Sequence, residues 1–269
     1  MNHPYTRRTI LRSLAAAPLG LALPVEAVDA PKTRKKGFAG WDNDSRLALK
    51  VSWYYNWGPD GAPHDGIEFI PMVKGKGRMD ETFLDRARAH RARDVKNLLG
   101  YNEPERAEQG NLTVEEAIEA WPKLTGLGFR VGSPAPSSDT KGMDWLDAFM
   151  KEAGKKKLQV DFIALHWYRS ADPSAFESWL KDVYRAYRKP IWVTEFNPWR
   201  GHDEKVHWDF LRGALRALEK NTFVERYAYF NPRDEGNLFA SSPENTADDS
   251  GPKPLTKLGV LYRDIDQKK

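Results

Sequence analysis

"VDFIALHWYRSADPSAFESWLKDVYRAYRKPIWVTEF" (160–196) runs from an apolar segment through an amphipathic one to a second apolar segment. Residues 160–168 and 191–196 have the length and the β-branched and aromatic content of strands, and 173–188 has that of a helix. A strand, a helix and a strand in this short span make a βα unit, and therefore parallel pairing. The same alternation continues on both sides. Strands are expected at 46–55, 67–73, 97–102, 130–135 and 225–230, and helices at 80–95, 113–126, 141–154 and 203–220. The helix at 113–126 is marked by Thr113 with Glu116 three residues on, a capping box.

Seven strands are clear in this reading. An eighth is expected between Val73 and Asn97, or at "LGVLY" (258–262). No glycine-rich phosphate loop follows the first strand, which argues against a nucleotide-binding open sheet. No internal linker or repeat divides the chain. The expectation is an α/β fold, a single (β/α)8 TIM-type barrel with one βα unit degenerate, covering residues 46–269 behind a loose lead-in at 31–45.

Residues 1–30 read as an address. "TRRTILR" (6–12) is a twin-arginine motif, followed by apolar "SLAAAPLGLALP" (13–24) and the cleavage candidates "VEA" (25–27) and "VDA" (28–30). Export to the periplasm or the exterior is expected. The 269 residues are 40% hydrophobic and 30% charged without an apolar run long enough to span a bilayer, so a soluble protein free of the membrane after signal cleavage is expected. Net charge is +4, and losing Arg7, Arg8 and Arg12 with Glu26 and Asp29 changes it little. The basic runs at 32–36, 86–93 and 155–157 are scattered and carry no nucleic-acid module, so they read as solvated faces. With no cysteine there is no disulfide, thiolate metal site or cysteine nucleophile.

In a barrel of this kind chemistry sits where strands end. Those ends read "WYYNWG" (53–58), "PMVKGKG" (71–77), "YNEPE" (101–105), "GSPAPSS" (132–138), "HWYR" (166–169), "TEFNPW" (194–199) and "YFNP" (229–232). Aromatics and amides recur there with two carboxylates, Glu103 and Glu195, each closing an apolar strand. Two facing carboxylates are the minimum apparatus for breaking a glycosidic bond. One must donate a proton, which calls for a raised pKa, and the other must be ionised to attack. Spacing does not say which does which. The competing reading makes Glu103 a helix cap or a partner of Arg106, and Glu195 half of a buried ion pair.

The segments "YNWG" (55–58), "IPMVKG" (70–75), "LGYNEPE" (99–105), "VGSPAPS" (131–137), "VDFIALHWY" (160–168), "KPIWVTEF" (189–196) and "RYAYF" (226–230) resemble, in order and spacing, the glycosyl hydrolase catalytic core proteins, glycoside hydrolase family 128. The resemblance runs from about residue 47 to 262. It implies a retaining endo-β-1,3-glucanase on a (β/α)8 barrel, with Glu103 as general acid/base and Glu195 as nucleophile. It also implies that Asn102 hydrogen-bonds the sugar 2-hydroxyl and that Tyr168 orients Glu195. Many relatives carry cysteines before "VDFIA" and after "TEF", where this chain has "KKKLQ" (155–159) and "NPWR" (197–200).

Period-two alternation puts His166 and Tyr168 on one face of their strand, so both can point into the site. Sugar rings stack on aromatic faces, which makes Trp53, Tyr54, Trp57, Trp167, Trp199 and Tyr229 candidates for a groove, with core packing the alternative for each. His202 and His207 lack the HExxH pattern, and no metal or cofactor is expected. Ser133, Ser137 and Ser138 do not form a nucleophile elbow. The expected partner is a β-1,3-glucan polysaccharide or oligosaccharide, bound by a monomer. The alternatives are a non-catalytic glucan-binding protein, a transglycosylase, or a glycosidase of other linkage preference.

Overall fold

The computed structural model describes residues 33–198, 201–232, 236–240 and 254–265. The signal expected at 1–30 and the groove candidate Trp199 lie outside the described residues. The elements alternate as β1 (Lys36–Ala39), α1 (Asn43–Ala48), β2 (Trp53–Tyr55), β3 (Glu68–Phe69), α2 (Glu81–Ala92), β4 (Asn97–Leu98), α3 (Val114–Thr125), β5 (Arg130–Val131), α4 (Thr140–Lys155), β6 (Ile163–Trp167), α5 (Pro173–Tyr187), β7 (Ile191–Phe196), α6 (Glu204–Lys220), β8 (Val224–Tyr229) and α7 (Lys257–Arg263).

Six strands pair in the order β3-β2-β1-β8-β7-β6, and β4 pairs with β5. Every pairing between these strands is parallel. Single parallel bridges, Met72 with Leu99 and Gly132 with Phe162, span the two gaps. Around them Leu99 N donates to Pro71 O at 3.0 Å and Ser133 N to Phe162 O at 2.9 Å, so the eight strands make one ring, a (β/α)8 barrel. Two apolar layers follow from strand alternation. Trp53, Tyr55, Ile70, Met72, Leu99, Phe162 and Trp192 fill the barrel interior, while Tyr54, Phe69, Ile163, Leu165, Ile191 and Val193 face the helices. Gly37 in β1 is required by this packing, because a Cβ there would sit 2.2 Å from the Trp53 ring.

The helices begin where the sequence places polar caps. Asp80, Thr113, Asp139, Asp172 and Asp203 each accept a hydrogen bond from a backbone N–H of the first turn, and Thr113 with Glu116 forms the expected capping box.

Three expectations need correction at the ends of the chain. The lead-in at 31–45 supplies β1, the eighth strand. Residues 43–48 coil into α1 behind the Asp42 cap, so the strand expected over 46–55 shrinks to Trp53–Tyr55. "LGVLY" lies in α7 rather than a strand. The reason for the first is electrostatic. Lys36, 1% exposed, donates from Nζ to the carbonyls of Tyr262 (3.1 Å) and Arg263 (2.7 Å) at the end of α7. Lys35 does the same with Leu218, Glu219 and Asn221 at the end of α6. Orphan helix carbonyls and the negative end of the dipole make these lysines partners of the fold rather than solvated charges.

The barrel has two unlike ends. At the strand starts Arg226 pairs with Glu68 (2.5 Å), lies over the rings of Trp192 (4.5 Å) and Trp53 (5.5 Å), and neighbours the Arg130–Glu225 pair (3.1 Å). That network closes the floor. The opposite end gathers the two glutamates.

Candidate active site

Glu195 lies in β7, whose six residues are all buried. Ile191 and Val193 face the helices and Trp192 the interior, so strict alternation would send Glu195 outward. Register shifts against β6 at Leu165/His166 and against β8 between Val193 and Phe196 interrupt the alternation and bring its carboxylate inside. There Oε1 accepts from Tyr55 OH (3.0 Å) and Trp57 Nε1 (2.8 Å), and Oε2 from Tyr168 OH (2.6 Å). The three contacts hold the Glu195 side chain in one orientation at the mouth of the barrel. Burial, and after it the charge of Glu195, pushes the phenols of Tyr55 and Tyr168 well above their ordinary range, so both stay protonated and keep donating.

Glu103 follows the apolar run 98–102 with φ +39°, a left-handed conformation that glycine adopts freely and glutamate does not. Its own N–H is tied to Ala135 O at 2.7 Å, and its carbonyl accepts from Arg106 N and Gly110 N. The backbone is thereby held in place and the side chain is directed to His166.

His166, 1% exposed on β6, stands between the two acids. Its Nδ1 is 3.2 Å from Glu103 Oε1 and its Nε2 3.5 Å from Glu195 Oε1. Burial pushes the Glu103 carboxyl up, but the hydrogen bond to His166 and the charge of the ring outweigh it, so the net direction is down. The raised value expected of a proton donor is therefore not that of Glu103 by itself. Burial pushes the imidazole down, yet Glu195 and Glu103 together carry it above its ordinary value. The two directions have one cause in common, the close pairing of Glu103 with His166. Imidazolium with carboxylate and imidazole with carboxylic acid have the same charge and differ only by transfer along the 3.2 Å contact.

Asn102, 3% exposed, presents Oδ1 without a hydrogen-bond partner among the described residues, and its Nδ2 makes a long 3.4 Å contact to Gln109. A buried acceptor of this kind suits a ligand hydroxyl. Glu105 is turned away from the pair and accepts from Ser137 N at 2.9 Å.

Of the eleven candidates, Glu103, Glu195, Asn102, His166, Tyr168 and Trp57 come together here. Four aromatics do not. Trp53 fills the barrel interior and donates to Lys35 O; Tyr54 faces outward and donates to Ala62 O. Trp167, on the helix side of β6, packs against Phe176 and Trp179, and Tyr229 against Phe196 and Tyr262. All four are at most 4% exposed, so core packing has claimed them.

Two members were missed. Tyr55 alternates with Trp53 on the inner face of β2 and is the further donor to Glu195. Phe230, just past β8, meets the edges of Trp57 (6.4 Å) and Tyr168 (5.7 Å). The inward alternation of "WYY" was a signal for the first, and the end of "RYAYF" marked the position of the second. Among the described residues no group of three or more histidine, aspartate and glutamate side chains is placed to hold a metal ion. No helix among them is long and apolar enough to cross a membrane.

Residues 36–262 match the family model described as glycosyl hydrolase catalytic core. No curated protein sequence matches the chain. Among solved structures it is similar to a subgroup I endo-β-1,3-glucanase of glycoside hydrolase family 128 from Amycolatopsis mediterranei, in complex with laminaripentaose, at 31% identity over 86% of this chain and 98% of that one (TM-score 0.72). A subgroup III curdlan-specific exo-β-1,3-glucanase from Blastomyces gilchristii, in complex with glucose, is 31% identical over 87% and 99% (TM-score 0.71). A subgroup II endo-β-1,3-glucanase from Pseudomonas viridiflava is 28% identical over 86% and 97% (TM-score 0.67).

Proposed function

The chain belongs to the glycosyl hydrolase catalytic core family and is a glycoside hydrolase, and on that premise we propose that it is a retaining endo-β-1,3-glucanase with Glu195 as nucleophile and Glu103 as general acid/base. The observation that carries the assignment is the unequal environment of two carboxylates that share one imidazole. Glu195 is held by three donors, two phenols and an indole, whereas Glu103 has the His166 ring 3.2 Å away as its partner.

In the first step Glu195 attacks the anomeric carbon while the leaving oxygen takes a proton from Glu103, which leaves a covalent glycosyl-enzyme. In the second, Glu103 takes a proton from water, and the resulting attack restores the β-configuration. Tyr55, Trp57 and Tyr168 hold the nucleophile against rotation. Asn102 Oδ1 accepts the sugar 2-hydroxyl, a contact that strengthens as the transition state gains oxocarbenium character. The relatives above act on β-1,3-glucans, two of the three as endo-enzymes, and this supports the substrate and an internal mode of cleavage. The twin-arginine stretch at 6–12 supports action outside the cytoplasm, and the enzyme works as a monomer.

Product analysis on a linear β-1,3-glucan in the presence of azide tests the roles. Wild type releases short oligosaccharides from internal positions. Glu103→Ala with azide and an activated substrate yields the β-glycosyl azide, because azide replaces water on the intermediate. Glu195→Ala yields the α-azide, because azide attacks the substrate directly. The opposite stereochemistry would exchange the two roles, and single-unit release by wild type would make the enzyme exo-acting.

A further inference from the structure

Beside the acid pair, the loops after β1, β2 and β3 and the start of α2 enclose a pocket of about 440 Å³ lined by Trp41, Asn56, Trp57, Lys74, Arg78 and Arg86 among others. It shares Trp57 with the catalytic centre. Trp57 lines the pocket while its indole N–H is committed to Glu195, and the carbonyl of Lys74 accepts from Asn102 N at 2.9 Å. A ligand seated there sits beside the indole that donates to Glu195.

The charges in this pocket do not balance. Its two carboxylates are in use: Asp60 pairs with Arg86 at 2.5 Å, and Asp80 caps α2 by accepting from Phe83 N at 2.8 Å. On the neighbouring loop Lys76 pairs with Glu116 at 2.6 Å. Lys74 and Arg78 have no carboxylate partner among the described residues. Arg78 is exposed, whereas Lys74 is half-buried with its backbone fixed to the catalytic strand end. The first turn of α2 also lines the pocket, at Thr82 and Phe83. Asn56, 2% exposed, donates to Asp60 O, while its Oδ1 is buried without a partner among the described residues. Trp41 is 54% exposed, an open aromatic face at the rim.

A neutral glucosyl unit would meet the two cations only through its hydroxyls, whereas a carboxylate or phosphate would also balance their charge. We propose that this pocket is a subsite for a sugar unit carrying an acidic substituent, a carboxylate or a phosphate ester, so that the preferred polymer is an anionic β-glucan. Trp41 stacks the ring, Asn56 Oδ1 accepts a hydroxyl, and Lys74 with Arg78 binds the acid. The proposal rests on the glucanase reading of the same groove.

The test compares kcat/KM on a linear β-1,3-glucan with kcat/KM on the same polymer carboxylated at C6, for wild type, Lys74→Met/Arg78→Gln and Arg78→Gln alone. The expected wild-type ratio favours the carboxylated polymer roughly tenfold at low salt, the size of one charge-assisted contact. It falls to parity in the double variant and at high salt, and partway in Arg78→Gln, an exposed change that leaves folding intact. A phosphorylated glucan that outruns the carboxylated one would assign the acid as a phosphate ester. A wild-type ratio at or below one, or equal ratios in wild type and double variant, overturns the proposal. If neither polymer is cut, the glucanase reading fails, and calorimetric binding of a carboxylated β-1,3-oligosaccharide still decides: tighter binding by wild type than by the double variant supports the subsite, and equal or absent binding removes it.

Discussion

His166 is the residue on which the chemistry of both acids turns, since each nitrogen faces one of them. In the mechanism proposed above, the active form carries one proton on the Glu103–His166 pair. The two acids hold the imidazole above its ordinary value, so that proton leaves at higher pH than from a free histidine; the ring holds Glu103 below its ordinary value, so a second proton arrives at lower pH than on a free glutamate. The pH profile of kcat/KM should therefore be broad, with its descending limb above 6.5. In His166→Asn the proton rests on Glu103 alone, and the descending limb should move to lower pH. A limb that stays in place would show that the imidazole does not share the proton. The site itself was legible in sequence to the extent that strand ends could be read. His166 and Tyr168 alternate onto one face as expected, but the irregularity that turns Glu195 inward arises from pairing with two neighbouring strands and has no signature in "IWVTEF".

Between elements, a buried ammonium supplies two of the hydrogen bonds that join β1 to α7. Lys36→Met keeps the length of the side chain and leaves the carbonyls of Tyr262 and Arg263 without that donor. A cost of about 2 kcal/mol is expected, which for a domain of this size lowers Tm by roughly 4–8 °C. Calorimetry that finds no change would mean that the lysine is dispensable. The same contact explains what could not be read. The β7 strand at 191–196 and the α3 capping box carry local signals, apolar content in one case and a Thr–Glu spacing in the other, and both stand where expected. "KKGFA" has neither, because its lysines are matched by helix ends far along the chain. The aromatics divide for the same reason: Trp53 and Trp57 look alike at a strand end, and only the packed barrel decides that one plugs the interior while the other reaches Glu195.

For the whole molecule, β1 lies between β2 and β8 and is the element at which the ring closes. A chain beginning at residue 46 lacks that strand and leaves two sheet edges and two helix ends unpaired, whereas one beginning at residue 31 keeps them covered. The shorter chain should be insoluble or show no cooperative melt, and a cooperative melt would remove β1 from the essential fold. Closure also sets an order of events during synthesis. The Gly37 carbonyl is bonded by the Tyr262 hydroxyl, 225 residues later. At about 5–20 residues per second, β1 waits roughly 10–45 s for that partner to be made. The first strand of the barrel is thus among the last to be secured, and the catalytic mouth, whose Glu103 and Glu195 both precede β8, takes its final form only once β8 and α7 have followed them off the ribosome.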